Sequence, residues 1–101
     1  MDFFVLAEEE IIIGFNFAGI QGRVIETRKD ASEGFQYAVS LPDLKVLIIT
    51  EEVVSLIEET VVDWNMHGRF PLIVEIPGIQ GRLEGKKTLV DSIREAIGIS
   101  V

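Results

Sequence analysis

Cysteine is absent from this chain. Disulfides, thiolate catalysis and cysteine-based metal sites are therefore excluded, which fits a cytosolic protein. Histidine occurs once, at position 67. A general base, triad member or metal ligand needs partners at recognisable spacing, and His67 has none. Lying just before Gly68, it reads as a helix-end residue whose partial positive charge suits the dipole. Long apolar runs are missing too. The longest stretch without charge, residues 11–22, contains glycine and asparagine and falls short of the roughly 18 residues that span a bilayer. Met1-Asp2-Phe3 has no basic start, so no signal peptide is expected. Basic residues are few, nine Lys and Arg against seventeen Asp and Glu, for a net charge of −8. Such a body repels phosphate backbones, which argues against nucleic acid as a partner.

The charge is unevenly placed. Residues 1–77 carry fourteen acids and five bases, whereas residues 78–101 carry three acids and four bases. A weakly basic tail beside an acidic body can dock on it reversibly. The chain is also 48% hydrophobic with a mean hydropathy of +0.33. Its 101 residues make one domain, so either the core is generous or some apolar surface is reserved for a partner.

Two apolar runs, Phe3–Ala7 and Val46–Thr50, have the pattern of central parallel strands covered on both faces. The first passes through Glu8-Glu9-Glu10 into a helix whose first turn places negative charge at the positive end of the dipole, with Gly19 as its C-cap. Arg23–Thr27 alternates and carries charge, which suits an edge strand. Asp30 is expected to cap helix two, with Ala31, Phe35, Ala38 and Val39 on one face and Pro42 beyond its end. Thr50 is expected to N-cap a third helix with the stripe Val53, Val54, Ile57, Val61 and Trp64, closed by Gly68. Pro71–Ile76 reads as strand four, its proline at the start where a missing N–H is tolerated.

Pro77-Gly78 marks a boundary. Residues 78–87 read as a mobile linker and 88–101 as an amphipathic C-terminal helix with Leu89, Val90, Ile93, Ala96 and Ile97 in a narrow stripe. The predicted fold is α/β: a four-stranded parallel sheet of order 2-1-3-4 with helices on both faces, receiver- or Rossmann-like, over residues 1–77. Gly-Ile-Gln-Gly-Arg occurs at 19–23 and again at 78–82. One copy precedes a strand and the other follows one, so these read as two turns and not as a structural repeat.

The sequence offers little catalytic chemistry. The turn after strand one has carboxylates and no glycines, so it cannot cradle a phosphate. A phosphoacceptor receiver needs an aspartate at the end of strand three, where this chain has Thr50-Glu51. Residues 78–88 are Gly-rich and end in Lys-Thr, but the spacing fails the phosphate-loop pattern and Glu84 would face the phosphates. No catalytic, cofactor-binding or metal-binding residue is expected. Helix one instead carries apolar bulk in several directions through Ile11, Ile12, Ile13, Phe15 and Phe17. The tail stripe has the spacing of a helix that lies on partner helices.

Taken in order, Gly14-Phe15 with Phe17-Ala18-Gly19, the block Val46–Thr50 running into Glu51-Glu52-Val53, Pro71–Pro77, and the ending Ile93-Arg94-Glu95-Ala96-Ile97-Gly98-Ile99 resemble the F subunit of V-type and A-type (archaeal-type) ATP synthases. The resemblance covers essentially the whole chain. The basic, Gly-rich segment 78–87 departs from the family pattern. The resemblance implies a non-catalytic subunit of the central rotor stalk. Such a subunit clasps the coiled coil of the rotor's D subunit, joins the membrane-side rotor to the catalytic head, and uses its C-terminal helix, tucked or extended, to regulate ATP hydrolysis. It implies ion transport through the complex, a cytoplasmic position peripheral to the membrane, no direct membrane insertion and no cofactor. The partner face is then expected at Leu89, Val90, Ile93 and Ile97, with Ile12 and Phe15 of helix one. The competing reading is a receiver-like docking module that lacks a phosphoacceptor.

Overall fold

The two apolar runs form the centre of a parallel sheet. The structure, a computed structural model, describes residues 1–79. In chain order the elements are β1 (Phe3–Ala7), α1 (Glu9–Phe17), β2 (Gly22–Val24), α2 (Arg28–Val39), β3 (Val46–Thr50), α3 (Glu51–Leu56), α4 (Glu58–Met66) and β4 (Leu72–Ile76). The sheet has the order β2-β1-β3-β4 with every pairing parallel, as the sequence pattern predicts. In register, Phe3 lies beside Val46 and Val46 beside Leu72. The linker and C-terminal helix expected at 78–101 lie outside the described residues, apart from Gly78 and Ile79.

Alternate residues of a strand point to opposite faces, and this divides the core in two. On one face Phe4, Leu6, Leu47 and Ile49 pack with Ala31, Phe35 and Ala38 of α2, with Val53 and Val54 of α3, and with Val61 of α4. Phe35 is 1% exposed, and its ring meets Trp64 edge-on at 5.6 Å between centroids. Trp64 Nε1 donates to the carbonyl of Pro71 at 2.9 Å. That bond ties α4 to the entry of β4. On the opposite face Val5 and Ala7 pack against Ile12 of α1.

Several local expectations change. Helix two begins earlier than Asp30. Thr27 is its N-cap, accepting from the Asp30 N–H, while the Asp30 carboxylate accepts from the Thr27 N–H. This reciprocal pair satisfies two donors that the first turn leaves open. Strand two is shorter and shifted, Gly22–Val24 instead of 23–27. The predicted third helix is two helices. Ile57 leaves helical geometry at φ −137° and ψ 36°, while staying buried. Ser55, whose hydroxyl donates back to the Glu52 carbonyl, draws on the backbone acceptors of the last turn of α3. The bend lets α3 pack on β1, β3 and α2 while α4 lies along β4.

Candidate functional site

Ligands of open parallel sheets bind beyond the carboxyl ends of the strands, so that end of the sheet comes first. Glu8, directly after β1, turns inward. Its carboxylate accepts from the Thr50 hydroxyl at the end of β3 and from the Ile79 N–H, 3.3 Å away, just past β4. Thr50 is fully buried. Although it occupies the N-cap position of α3, its side chain makes no capping bond, because the hydroxyl is committed to Glu8. The place where a receiver would carry its phosphoacceptor therefore holds a buried hydroxyl bonded to a carboxylate. Glu9 and Glu10 point to solvent in the first turn of α1.

Glu51 and Glu52 complete this acidic rim. Glu51 is buried. Glu52 has its pKa raised above the usual carboxylate range, first by burial and then by the neighbouring Glu8 charge. A carboxylate whose folded-state pKa is raised costs stability once it ionises. The loss sets in as pH climbs above the unfolded value and is complete above the folded one. Glu52→Gln is therefore expected to leave stability unchanged below about pH 4, the ordinary glutamate range. It should raise stability at pH 7 by a gain within the roughly 0.5 kcal/mol span of partly exposed substitutions. Urea melts of both proteins at the two pH values check this.

His67 lies at the end of α4, where its Nδ1 is 2.8 Å from the Asp63 carbonyl and 3.4 Å from the Asp63 carboxylate. These are contacts within one helical turn, on the exposed surface. An open cleft of about 410 Å³, lined by Arg28, Ser32 and the α3–α4 junction from Ser55 to Thr60, lies away from the rim.

The apolar surfaces are more telling. In α1 only Ile12 of the three consecutive isoleucines is buried, pressed against Val5 and Ala7. Phe15 is half-buried beside the same cluster. Ile13 and Phe17, one turn apart, face outward at 48% and 90% exposure. Of the two helix-one residues expected at a partner face, Ile12 is thus spent on the sheet and Phe15 lies at the margin. The residues that α1 presents outward are Ile13 and Phe17. The sequence signals the apolar excess of this helix but not which isoleucine turns in. Leu89, Val90, Ile93 and Ile97 lie outside the described residues.

The sequence pattern does not announce a second apolar surface, on the sheet itself. Helix α1 packs over β1 and β2, and the same face continues across β3 and β4. Phe3, Leu72 and Val74 are exposed there, with Val46, Ile48 and Ile76 half-buried among them. The alternation within β4 carries the only signal, since Leu72, Val74 and Ile76 share one face while Ile73 joins the main core.

Comparison with known proteins bears on what these surfaces serve. Residues 3–97 match the family described as ATP synthase (F/14-kDa) subunit. The F subunit of the A-type ATP synthase of Methanocaldococcus jannaschii is 31% identical over 99 residues, covering 96% of this chain and 95% of the relative. The A-type F subunit of Thermoplasma acidophilum is 26% identical, covering 96% of this chain and 91% of the relative. The F subunit of a V-type ATP synthase of Clostridium botulinum is also 26% identical, covering 96% and 93%. No helix among the described residues is long and apolar enough to cross a membrane.

Proposed function

This chain belongs to the ATP synthase (F/14-kDa) subunit family, and from that premise we propose that it works as a non-catalytic central-stalk subunit of an A/V-type ATP synthase. In this reading it binds the coiled-coil D subunit of the rotor and travels with the membrane-side rotor. It stays on the cytoplasmic side, held to the membrane only through the complex, and its C-terminal segment regulates ATP hydrolysis. The observation that carries the proposal is the family match, which runs through nearly the entire chain. The outer face of α1 supports it. Phe17 at 90% exposure and Ile13 at 48% form a large apolar projection, which marks interaction surfaces on small proteins and suits the groove of a coiled coil. The partner face on the body is accordingly Ile13, Phe15 and Phe17, with Ile12 acting from beneath. On the tail it is Leu89, Val90, Ile93 and Ile97. The commitment of Thr50 to Glu8 supports a docking role over phosphoryl acceptance.

Titration calorimetry of the full chain against the coiled-coil rotor protein of the same source tests this. One-to-one binding is expected, and Phe17→Asp is expected to weaken it at least about tenfold, the loss of a modest interface anchor. The melting temperature should be unchanged, because Phe17 touches little of its own fold. Absence of binding would overturn the stalk reading. Undiminished binding by Phe17→Asp would remove α1 from the partner face.

A further inference from the structure

The bare half of the sheet face, where Phe3, Leu72 and Val74 are 44%, 53% and 45% exposed, calls for a cover. We infer that its occupant is residues 88–97 of this same chain, lying as a helix antiparallel to β3 and β4. The inference deepens the regulatory role proposed for the C-terminal segment and rests on that reading.

Three observations select this occupant. The first is where the described chain ends. Strand β4 runs parallel to its neighbours, so the chain leaves at the carboxyl end of the sheet. Ile79 is held there by its N–H bond to Glu8. Residues 80–87 reach up to about 27 Å when extended, ample to step from the edge strand onto the face. The second is length. A ten-residue helix is about 15 Å long and a five-residue strand about 16 Å, so residues 88–97 span the bare strands from end to end. Their stripe of Leu89, Val90, Ile93 and Ile97 matches a face made of Phe3, Val46, Ile48, Leu72, Val74 and Ile76. The third is charge. A helix entering from the carboxyl end brings Lys86 and Lys87 up to the rim formed by Glu8, Glu51 and Glu52. The raised pKa of Glu52 reflects a burial and a like-charge contact that a nearby ammonium would relieve.

The face therefore works as a seat that the tail occupies when it is not engaged elsewhere. A tail drawn onto a partner would leave six apolar side chains to solvent, an opposing cost that makes its release reversible.

The cysteine-free sequence permits a direct test on the isolated full-length protein. Val74→Cys is paired with Ile93→Cys and treated with a short phenylene bismaleimide. The control pairs Glu59→Cys, on the exposed surface of α4 over the opposite sheet face, with the same Ile93→Cys. Intramolecular cross-linking of the 74/93 pair is expected to be at least tenfold faster than that of 59/93. Circular dichroism melts of both variants verify that the body is folded. Equal rates would overturn the proposal. So would a 74/93 product that is a covalent dimer growing with protein concentration, which would assign the face to a second copy. Because no rotor partner is present, failure here leaves the calorimetric test of the stalk reading intact.

Discussion

Phe35→Ala is expected to destabilise the protein by about 3–5 kcal/mol, the range for emptying a buried aromatic position. Phe35 is 1% exposed and sits where α2 meets both the sheet and α4, within the cluster containing Leu6, Leu47 and Val61. Removing its ring leaves a cavity and strips Trp64 of its edge-on partner. The Trp64 bond to Pro71 then loses the packing that orients the indole, so the damage extends to the start of β4. A domain of this size has about 5–15 kcal/mol of total stability, so the variant should lose at least about 12 °C in melting temperature. Phe35→Leu keeps most of the volume and should cost well under half as much. A chemical melt of the three proteins, followed by Trp64 fluorescence, measures both steps. Equal stability of Phe35→Ala and the parent would mean that α2 and α4 do not share a core through this ring.

A second expected result concerns one substitution with opposite signs at two places. Gly22→Ala should destabilise by about 1–3 kcal/mol, the cost of overpacking. Gly14→Ala should stabilise by about 0.5–1 kcal/mol, the gain from replacing an unconstrained helical glycine. At Gly22 an added Cβ would fall 2.5 Å from the Val5 carbonyl oxygen and 2.8 Å from Ile12 Cδ1. The first of these atoms belongs to the central strand and cannot rotate away, so β2 must move. At Gly14 nothing lies within 4 Å. Parallel urea melts decide the matter, and two changes of the same sign would refute the packing assigned to β2. The stalk reading adds a consequence. Gly14 lies on the solvent-exposed part of α1 between Ile13 and Phe15, so Gly14→Ala, while stabilising the isolated protein, also reports on how closely a partner approaches that helix.

Gly22 shows how far the linear pattern could be read. The repeated Gly-Ile-Gln-Gly-Arg announces a turn at 19–23, and Gly19 does close α1 with a left-handed φ of +82°. Gly22 is not part of that turn. It opens β2 beside Val5, and its small size matters because of a strand seventeen residues earlier. The acidic run after β1 gives a similar lesson. Its spacing predicts solvent charge at a helix start, which holds for Glu9 and Glu10. Glu8 instead closes a bond to a threonine forty-two residues away, and with it displaces the capping bond expected of Thr50. Asp30 was legible as a capping residue, but its role is the reciprocal partner of Thr27, one turn inside the helix.

The two apolar strands, their parallel order with β2 and β4 outside, the inward residues of α2, and the glycine-ended helices α1 and α4 all follow from periods of two and 3.6 that neighbours in the chain impose on one another. The break at Ile57, the choice of Ile12 over Ile13 and Phe17, and the half-covered sheet face do not. Each depends on which distant surface a side chain meets. A run of three isoleucines is locally symmetric until Val5 and Ala7 offer only one of them a place. A helix pattern is continuous until two strands of different position must both be covered. The apolar alternation of β4 says that two faces exist, and only the arrangement of α1 over the other edge of the sheet leaves one of them open.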